Sequence, residues 1–252
     1  MPFLGLVPEL DTRKSGKHPA GDLIRDPNGP YADAMRALQG HVLLARVGNR
    51  RAHTVLVTSA LPNEGKTSTA ASLARIFAAG GYRTIIVDAD MRNPSIHEAL
   101  GADRHPGLSD MLMGRAAFQH VIRQDPGSYA HVLQAGTPVP NPTAALASSQ
   151  MIWVLNALQQ TYDYVIIDSP AATSAADAQI LAKLADVTIL IVKWSSTSRG
   201  IVTRVMKLLQ AASNRRVGVL LTRVNLKRYR RYGADTPENY PSRPPRRALA
   251  AR

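Results

Sequence analysis

Residues 59–68 read Ser-Ala-Leu-Pro-Asn-Glu-Gly-Lys-Thr-Ser and follow directly on an apolar, β-rich run, Thr54-Val55-Leu56-Val57-Thr58. The spacing meets the pattern G-x-x-x-x-G-K-[ST] at Gly65, Lys66 and Thr67, with Ala60 standing where the first glycine is expected. A loop that leaves a strand and enters a helix aims unpaired N–H groups at one point, and the helix dipole adds to the pull on an anion. The loop Ala60, Leu61, Pro62, Asn63, Glu64, Gly65, Lys66, Thr67 and Ser68 is therefore expected to wrap a phosphate chain. In that reading Lys66 reaches the β- and γ-phosphates and the Thr67 hydroxyl ligates Mg²⁺. A glycine-turn helix cap is the bland alternative. It accounts for Gly65 but not for a strand before, Lys-Thr at the turn and a helical stretch, Thr67–Phe77, after it.

Working outward, apolar runs alternate with helical segments. The runs are Thr54–Ser59, Thr84–Val87, Tyr164–Ile167, Val187–Val192 and Val217–Leu221. Helical stretches are expected near 67–79, 95–113, 143–160, 175–184 and 198–212, and from Tyr31 onward, where Met35, Leu38, Val42 and Ala45 share one face. Strands this uniformly apolar, separated by helices, predict an α/β fold: a mostly parallel sheet flanked by helices on both faces. Such sheets bind ligands at the carboxyl ends of their strands. Two runs end there in acids: Val87 leads into Asp88-Ala89-Asp90, and Ile167 leads into Asp168-Ser169-Pro170. One such aspartate is as readily a helix cap or turn former. Three, at two strand ends beside a phosphate loop, point to metal and proton chemistry.

The chain of 252 residues suits one sizeable α/β domain or two small ones. It has no Cys, which excludes disulfides and thiolate metal sites and suits a reducing compartment. No apolar stretch approaches the ~18–20 residues of a membrane span, and Met1–Pro8 lacks the basic start and length of a signal peptide, so a cytoplasmic location is expected. Net charge is +13, with a basic excess after residue 225. Residues 1–30, rich in Pro, Gly and charge, read as an arm or linker, followed by a domain over 31–225 and a basic tail over 226–252.

Together, A-L-P-N-E-G-K-T at 60–67, V-D-A-D-M-R-N-P at 87–94 and Y-D-Y-V-I-I-D-S-P at 162–170 resemble the bacterial tyrosine kinases of capsule and exopolysaccharide export. The similarity runs over roughly residues 31–225 and includes Gly136–Pro142 and Asp177-Ala178. It implies a P-loop NTPase fold with a flexible C-terminal tail, ATP and Mg²⁺ as cofactors, and autophosphorylation in trans. It assigns Lys66, Asp88 and Asp90 to catalysis and Thr67, Asp90 and Asp168 to the metal. Asp88 is favoured as the base that takes the phenol proton, with exchange of the Asp88 and Asp90 roles left open. The family's acceptors are clustered C-terminal tyrosines, matched here by Tyr229, Tyr232 and Tyr240. Related partition-type ATPases, the competing class, carry Lys where this chain has Leu61 and Gly-Gly where it has Pro62-Asn63.

The same resemblance implies partners. The family's ring-forming E-x-x-R-x-x-R is represented by Asp33, Arg36 and Gln39, which retains the arginine but shortens the acid and loses the final charge. Phe3–Pro8 resembles the stretch after the second membrane helix of one-chain polysaccharide co-polymerases. The expected partners are therefore other copies in a ring, a membrane adaptor or co-polymerase that activates the kinase, a tyrosine phosphatase, and anionic lipid touched by the basic tail. No specific nucleic acid is expected, and the site of action is the inner face of the inner membrane. The family's last strand ends in Asn near the base of the nucleotide; here the residue is Thr222, with Asn225 three positions on.

Overall fold

The computed structural model describes residues 2–10, 19–102, 106–174, 176–213 and 216–231. In chain order the strands are β1 (Phe3–Pro8), β2 (Arg46–Val47), β3 (Arg50–Arg51), β4 (Thr54–Ser59), β5 (Thr84–Asp88), β6 (Ile122–Gln124), β7 (His131–Leu133), β8 (Tyr164–Asp168), β9 (Val187–Lys193) and β10 (Arg216–Val224). The helices are α1 (Asp22–Arg25), α2 (Pro30–Leu43), α3 (Lys66–Ala79), α4 (Ile96–Leu100), α5 (Leu108–Leu112), α6 (Phe118–Val121), α7 (Pro142–Leu146), α8 (Ser149–Thr161), α9 (Asp177–Leu184), α10 (Arg199–Ala212) and α11 (Leu226–Arg231).

Eight strands form one sheet in the order β1-β10-β9-β4-β8-β5-β7-β6. All neighbours run parallel except β6 and β7. Alternating residues of each central strand point to opposite faces. Leu56, Ile85, Val87, Val165 and Ile167 enter one core, closed by α5, α8, α9 and α10. Val55, Val57, Ile86 and Ile166 enter the other, closed by α2, α3 and α4. The apolar runs of the sequence are thus strands covered on both sides.

Three expectations change. Residues 3–8 are not an open arm: β1 pairs with β10 at the sheet edge, burying Leu6 and Val7. Gly218 makes the room, since a Cβ there would stand 2.6 Å from the Leu4 side chain. The helix expected over 95–113 is two short helices. Gly101, at φ +70, ends α4, and Gly107 lies so close to Gln134 that a Cβ would meet its carbonyl oxygen at 2.1 Å. The stretch 143–160 breaks at Ser148, whose hydroxyl caps α8 through Met151 N–H.

Candidate active site

β4 lies between β8 and β9, and its carboxyl end feeds the phosphate loop into α3. Gly65 is the residue before α3 and has φ +96, a left-handed conformation that suits glycine. Ala60 needs no such freedom: its φ is not positive, its N–H bonds to Ile191 C=O at 3.1 Å and its C=O accepts from Thr173 Oγ1 at 2.7 Å. The irregular first position is an ordinary extension of the strand.

The loop is braced from within by Glu64, which the sequence reading placed among the phosphate-loop residues without a separate role. Its side chain is buried. Leu61 N–H donates to Oε2 at 2.8 Å, and Lys193 N–H (3.2 Å) and the Thr197 hydroxyl donate to Oε1. Thr222 Oγ1 donates to the Glu64 C=O at 2.6 Å. Thr222, read from sequence only as a departure near the base, is buried and ties β10 to the phosphate loop. A carboxylate three residues after Leu61, in a loop short of cations, was the signal that could have singled out Glu64.

Lys66 lies between acids. Its Nζ is 2.9 Å from Asp90 and 3.8 Å from Asp168. Burial alone would lower the ammonium; Asp168, Asp90 and Asp88 outweigh it and hold it above its ordinary value. Asp88 and Asp168 are register partners across β5 and β8. Burial, reinforced by the Asp168 charge, pushes Asp88 up to about 8. Its oxygens accept from Asp90 N–H (3.1 Å), Ser95 N–H (3.2 Å) and Ile96 N–H (3.1 Å). Burial likewise pushes Asp168 up to about 6, against the pull of Lys66 and Thr67.

Both Asp168 oxygens are buried without a hydrogen-bond partner. A buried carboxylate left this way is costly unless something else meets it. Thr67 Oγ1, the Lys66 ammonium and Asp90 converge on the same place. With Lys66 turned to phosphate, the oxygens of Thr67, Asp90 and Asp168 fit a hard divalent cation that takes its remaining ligands from phosphate and water. Among the described residues no group of three or more His, Asp or Glu is spaced to hold a metal unaided.

A cleft of about 520 Å³ opens over Gly65, Lys66, Thr67 and Asp90 and extends to Arg223. Asp90 faces this cleft; Asp88 does not line it. Arg92 also lines it, aimed by an ion pair with buried Asp177 at 2.9 Å and by Thr143. Of the ring-forming positions, Asp33 and Arg36 pair with each other on the surface at 2.6 Å, and Gln39 turns inward to Ile76 C=O. Tyr229 is on α11 rather than on an open tail, its ring 6.1 Å from that of Trp194, with Arg228 over the same indole. Tyr232 and Tyr240 lie outside the described residues.

A parallel sheet with a phosphate loop after one strand and acids after the next two defines a P-loop NTPase domain, and residues 63–219 match the family model described as AAA domain. Among curated relatives, Tyrosine-protein kinase YwqD of Bacillus subtilis (strain 168) is 29% identical over 86% of this chain and 92% of its own. Putative tyrosine-protein kinase EpsB of Ralstonia solanacearum is 31% identical over 89% of this chain, which spans only 30% of that longer protein. The solved structure of the chimerical protein CapA2B2 matches with a TM-score of 0.80 and 27% identity, covering 89% of this chain and 95% of that one. The chain belongs to the bacterial tyrosine kinases of capsule and exopolysaccharide systems, and it is a protein-tyrosine kinase. Among the described residues no helix is long and apolar enough to cross a membrane.

Proposed function

We propose that this kinase transfers the γ-phosphoryl group of ATP to tyrosines at the C-terminus of a second copy, within a system that polymerises and exports a capsular or exopolysaccharide. The observation that carries it is the buried Asp168 carboxylate, without a hydrogen bond and met by Lys66 at 3.8 Å, at the mouth of α3. Thr67, Asp90 and Asp168 would hold Mg²⁺, directly or through water. Bound there, the ion would supply positive charge to offset the negative charge that develops on the phosphate oxygens.

The remaining work falls to side chains and backbone. Loop N–H groups and the α3 dipole hold the phosphates, and Lys66 moves from Asp90 to the β- and γ-oxygens. The phenol oxygen attacks the γ-phosphorus in line, the bond to the β-phosphate oxygen breaks, and ADP leaves. A phenol ordinarily holds its proton to pH ~10, so a carboxylate must accept it as the bond forms. Asp88 remains our assignment, because burial raises its basicity toward that task while Asp90 is assigned to the metal. Asp90 has the more open face. Asp88→Asn with full kinase activity and intact ATP binding would transfer the role to Asp90.

The domain over 31–225, with β1 added at its edge, is the catalytic body, and 226–252 carries the acceptors Tyr229, Tyr232 and Tyr240. Ring assembly through Asp33 and Arg36, activation by a membrane adaptor or co-polymerase, and reversal by a phosphatase complete the proposal. The ATPase-switch alternative has no specific observation in its favour. Radiolabelled ATP with wild type, Lys66→Met and the triple Tyr→Phe variant of the tail tests the reading. Label should enter wild type and be lost in both variants. Label persisting in the triple variant would remove the tail as acceptor.

A further inference from the structure

Between Asp186 and Asp235 the chain contains no acidic residue and eleven Lys or Arg. The fold gathers this stretch at one side of the molecule. β9 and β10 are third and second from the β1 edge, α10 connects them, and α11 follows β10. α10 turns Val202, Val205, Met206 and Leu209 into the core. That leaves Arg204 and Lys207, one helical turn apart, on its outward face, and both are exposed. Arg199 and Arg223 continue the stripe toward the cleft end.

Among the described residues, these cations share the absence of an acidic partner with scattered residues such as Arg46, Arg51 and Arg123. Only here do eleven basic residues form a stretch with no acid among them. Elsewhere Arg36, Arg50, Arg75, Arg83, Arg92 and Arg115 each pair with an aspartate. Among the described residues, none of Arg199, Arg204, Lys207, Arg216 and Arg223 has an acidic partner within salt-bridge distance. A single-sign surface of this length raises the energy of the isolated protein by self-repulsion and is relieved by an extended anionic partner.

We propose that this flank docks on an anionic lipid surface, an inference that rests on the export reading above. α10 keeps its apolar side in the core, so attraction is by charge without insertion. The stripe also lacks a free aromatic platform on which bases could stack, since Trp194 and Tyr229 are turned on each other. Docking by the outward face of α10, which runs back from the end of β9 to the start of β10, lays the strands parallel to the lipid surface. The cleft, at the carboxyl ends of the strands, then opens sideways, where the tail of a second copy can reach it.

The test is co-sedimentation of the full chain with phosphatidylglycerol-containing vesicles, with pure phosphatidylcholine vesicles, and with duplex DNA at equal phosphate concentration. The protein should bind the first and not the second, and binding should disappear near ~0.5 M salt. Each basic residue near an anionic surface is worth about fivefold, so Arg199→Gln/Arg204→Gln/Lys207→Gln should weaken vesicle binding on the order of 100-fold. Its nucleotide affinity should stay at the wild-type value, and its melting temperature should not fall, since mutually repelling charges are removed. Undiminished vesicle binding by the triple variant, or duplex DNA bound as tightly as the anionic vesicles, would overturn the proposal. Autophosphorylation in the same samples separates the two readings. Kinase activity without vesicle binding removes the flank alone, and vesicle binding without phosphotyrosine removes the autokinase reading alone.

Discussion

Glu64→Gln tests whether the phosphate loop is held in shape by a buried carboxylate. The substitution keeps the volume of the side chain and exchanges one acceptor oxygen for an NH₂ group. Three donors meet the native carboxylate: Leu61 N–H at Oε2, and Lys193 N–H with the Thr197 hydroxyl at Oε1. The single oxygen of glutamine can serve one side only. If it faces Lys193 and Thr197, the new NH₂ confronts Leu61 N–H across 2.8 Å, donor against donor. Leaving one buried donor unmet costs about 1–3 kcal/mol. In a chain of this size that corresponds to a fall in melting temperature of about 2–10 °C. Leu61 can escape the conflict only by moving the loop. Mg-ADP affinity should therefore fall about 5- to 100-fold, the same energy expressed as binding. Titration calorimetry and thermal melting on one preparation measure both. A glutamine variant that binds Mg-ADP within about twofold of wild type and melts within about one degree would refute the bracing role.

Protonation gives two effects of opposite sign. Asp168 is raised from 3.8 to about 6, so the native state holds its proton more tightly than the unfolded chain; its contribution is full below pH ~4 and is lost as pH rises through 6. Without nucleotide, Asp168→Asn should melt higher than wild type at pH 8 and equal it at pH 4, and a deficit at pH 8 would refute this. For Asp125, burial pushes the carboxyl up, but the bidentate Arg75 pair and Ser128 outweigh it and hold it below its usual value. Its stabilisation is present above pH ~4 and fades in acid, so Asp125→Asn should be destabilised most at neutral pH, by about 3–5 kcal/mol, with Arg75 left unpaired. Removing Mg²⁺ with EDTA should weaken ATP binding at least about tenfold at pH 8, since Lys66 cannot serve the phosphates and three acids together; equal affinity with and without the ion would count against the metal assignment. Trp194→Ala should release α11, seen as faster amide exchange over residues 226–231, and unchanged exchange would mean that the Trp194–Tyr229 contact does not hold the helix.

Much of the fold was legible because buried parallel strands write themselves as continuous apolar runs. β4, β5, β8 and β9 begin where those runs begin. β6 and β7 were missed: three residues each, they are too short to show a period, and their pairing depends on partners far along the chain. β1 was missed because Pro2, Gly5 and Pro8 mask a strand whose burial depends on Gly218, more than two hundred residues away. At the site, Lys66, Asp90 and Asp168 came from local motifs and do meet. Glu64 and Thr222 were not legible in their roles. Their hydrogen bonds join the phosphate loop to the end of β9, the turn after it and β10, and no local pattern encodes that distance.

The same long-range contacts explain why a buried cluster of acids persists here. Three carboxylates at two strand ends with one lysine are a poor arrangement for stability: neither Asp168 oxygen has a hydrogen bond, and burial pushes Asp88 up to about 8. Each would be easier to bury as an amide. The cost is tolerated because the surroundings cannot relax. Asp88 is held by amides at Asp90, Ser95 and Ile96, Asp168 by its place in register, and the phosphate loop opposite them by Glu64 and Thr222. A phosphate chain with its divalent ion would relieve the repulsion by giving Lys66 an anion and the acids a cation. Under the proposed function, the binding free energy of the nucleotide is thereby tied to the metal. That coupling, rather than the phosphate loop alone, distinguishes a site built for phosphoryl transfer from a loop that merely holds phosphate.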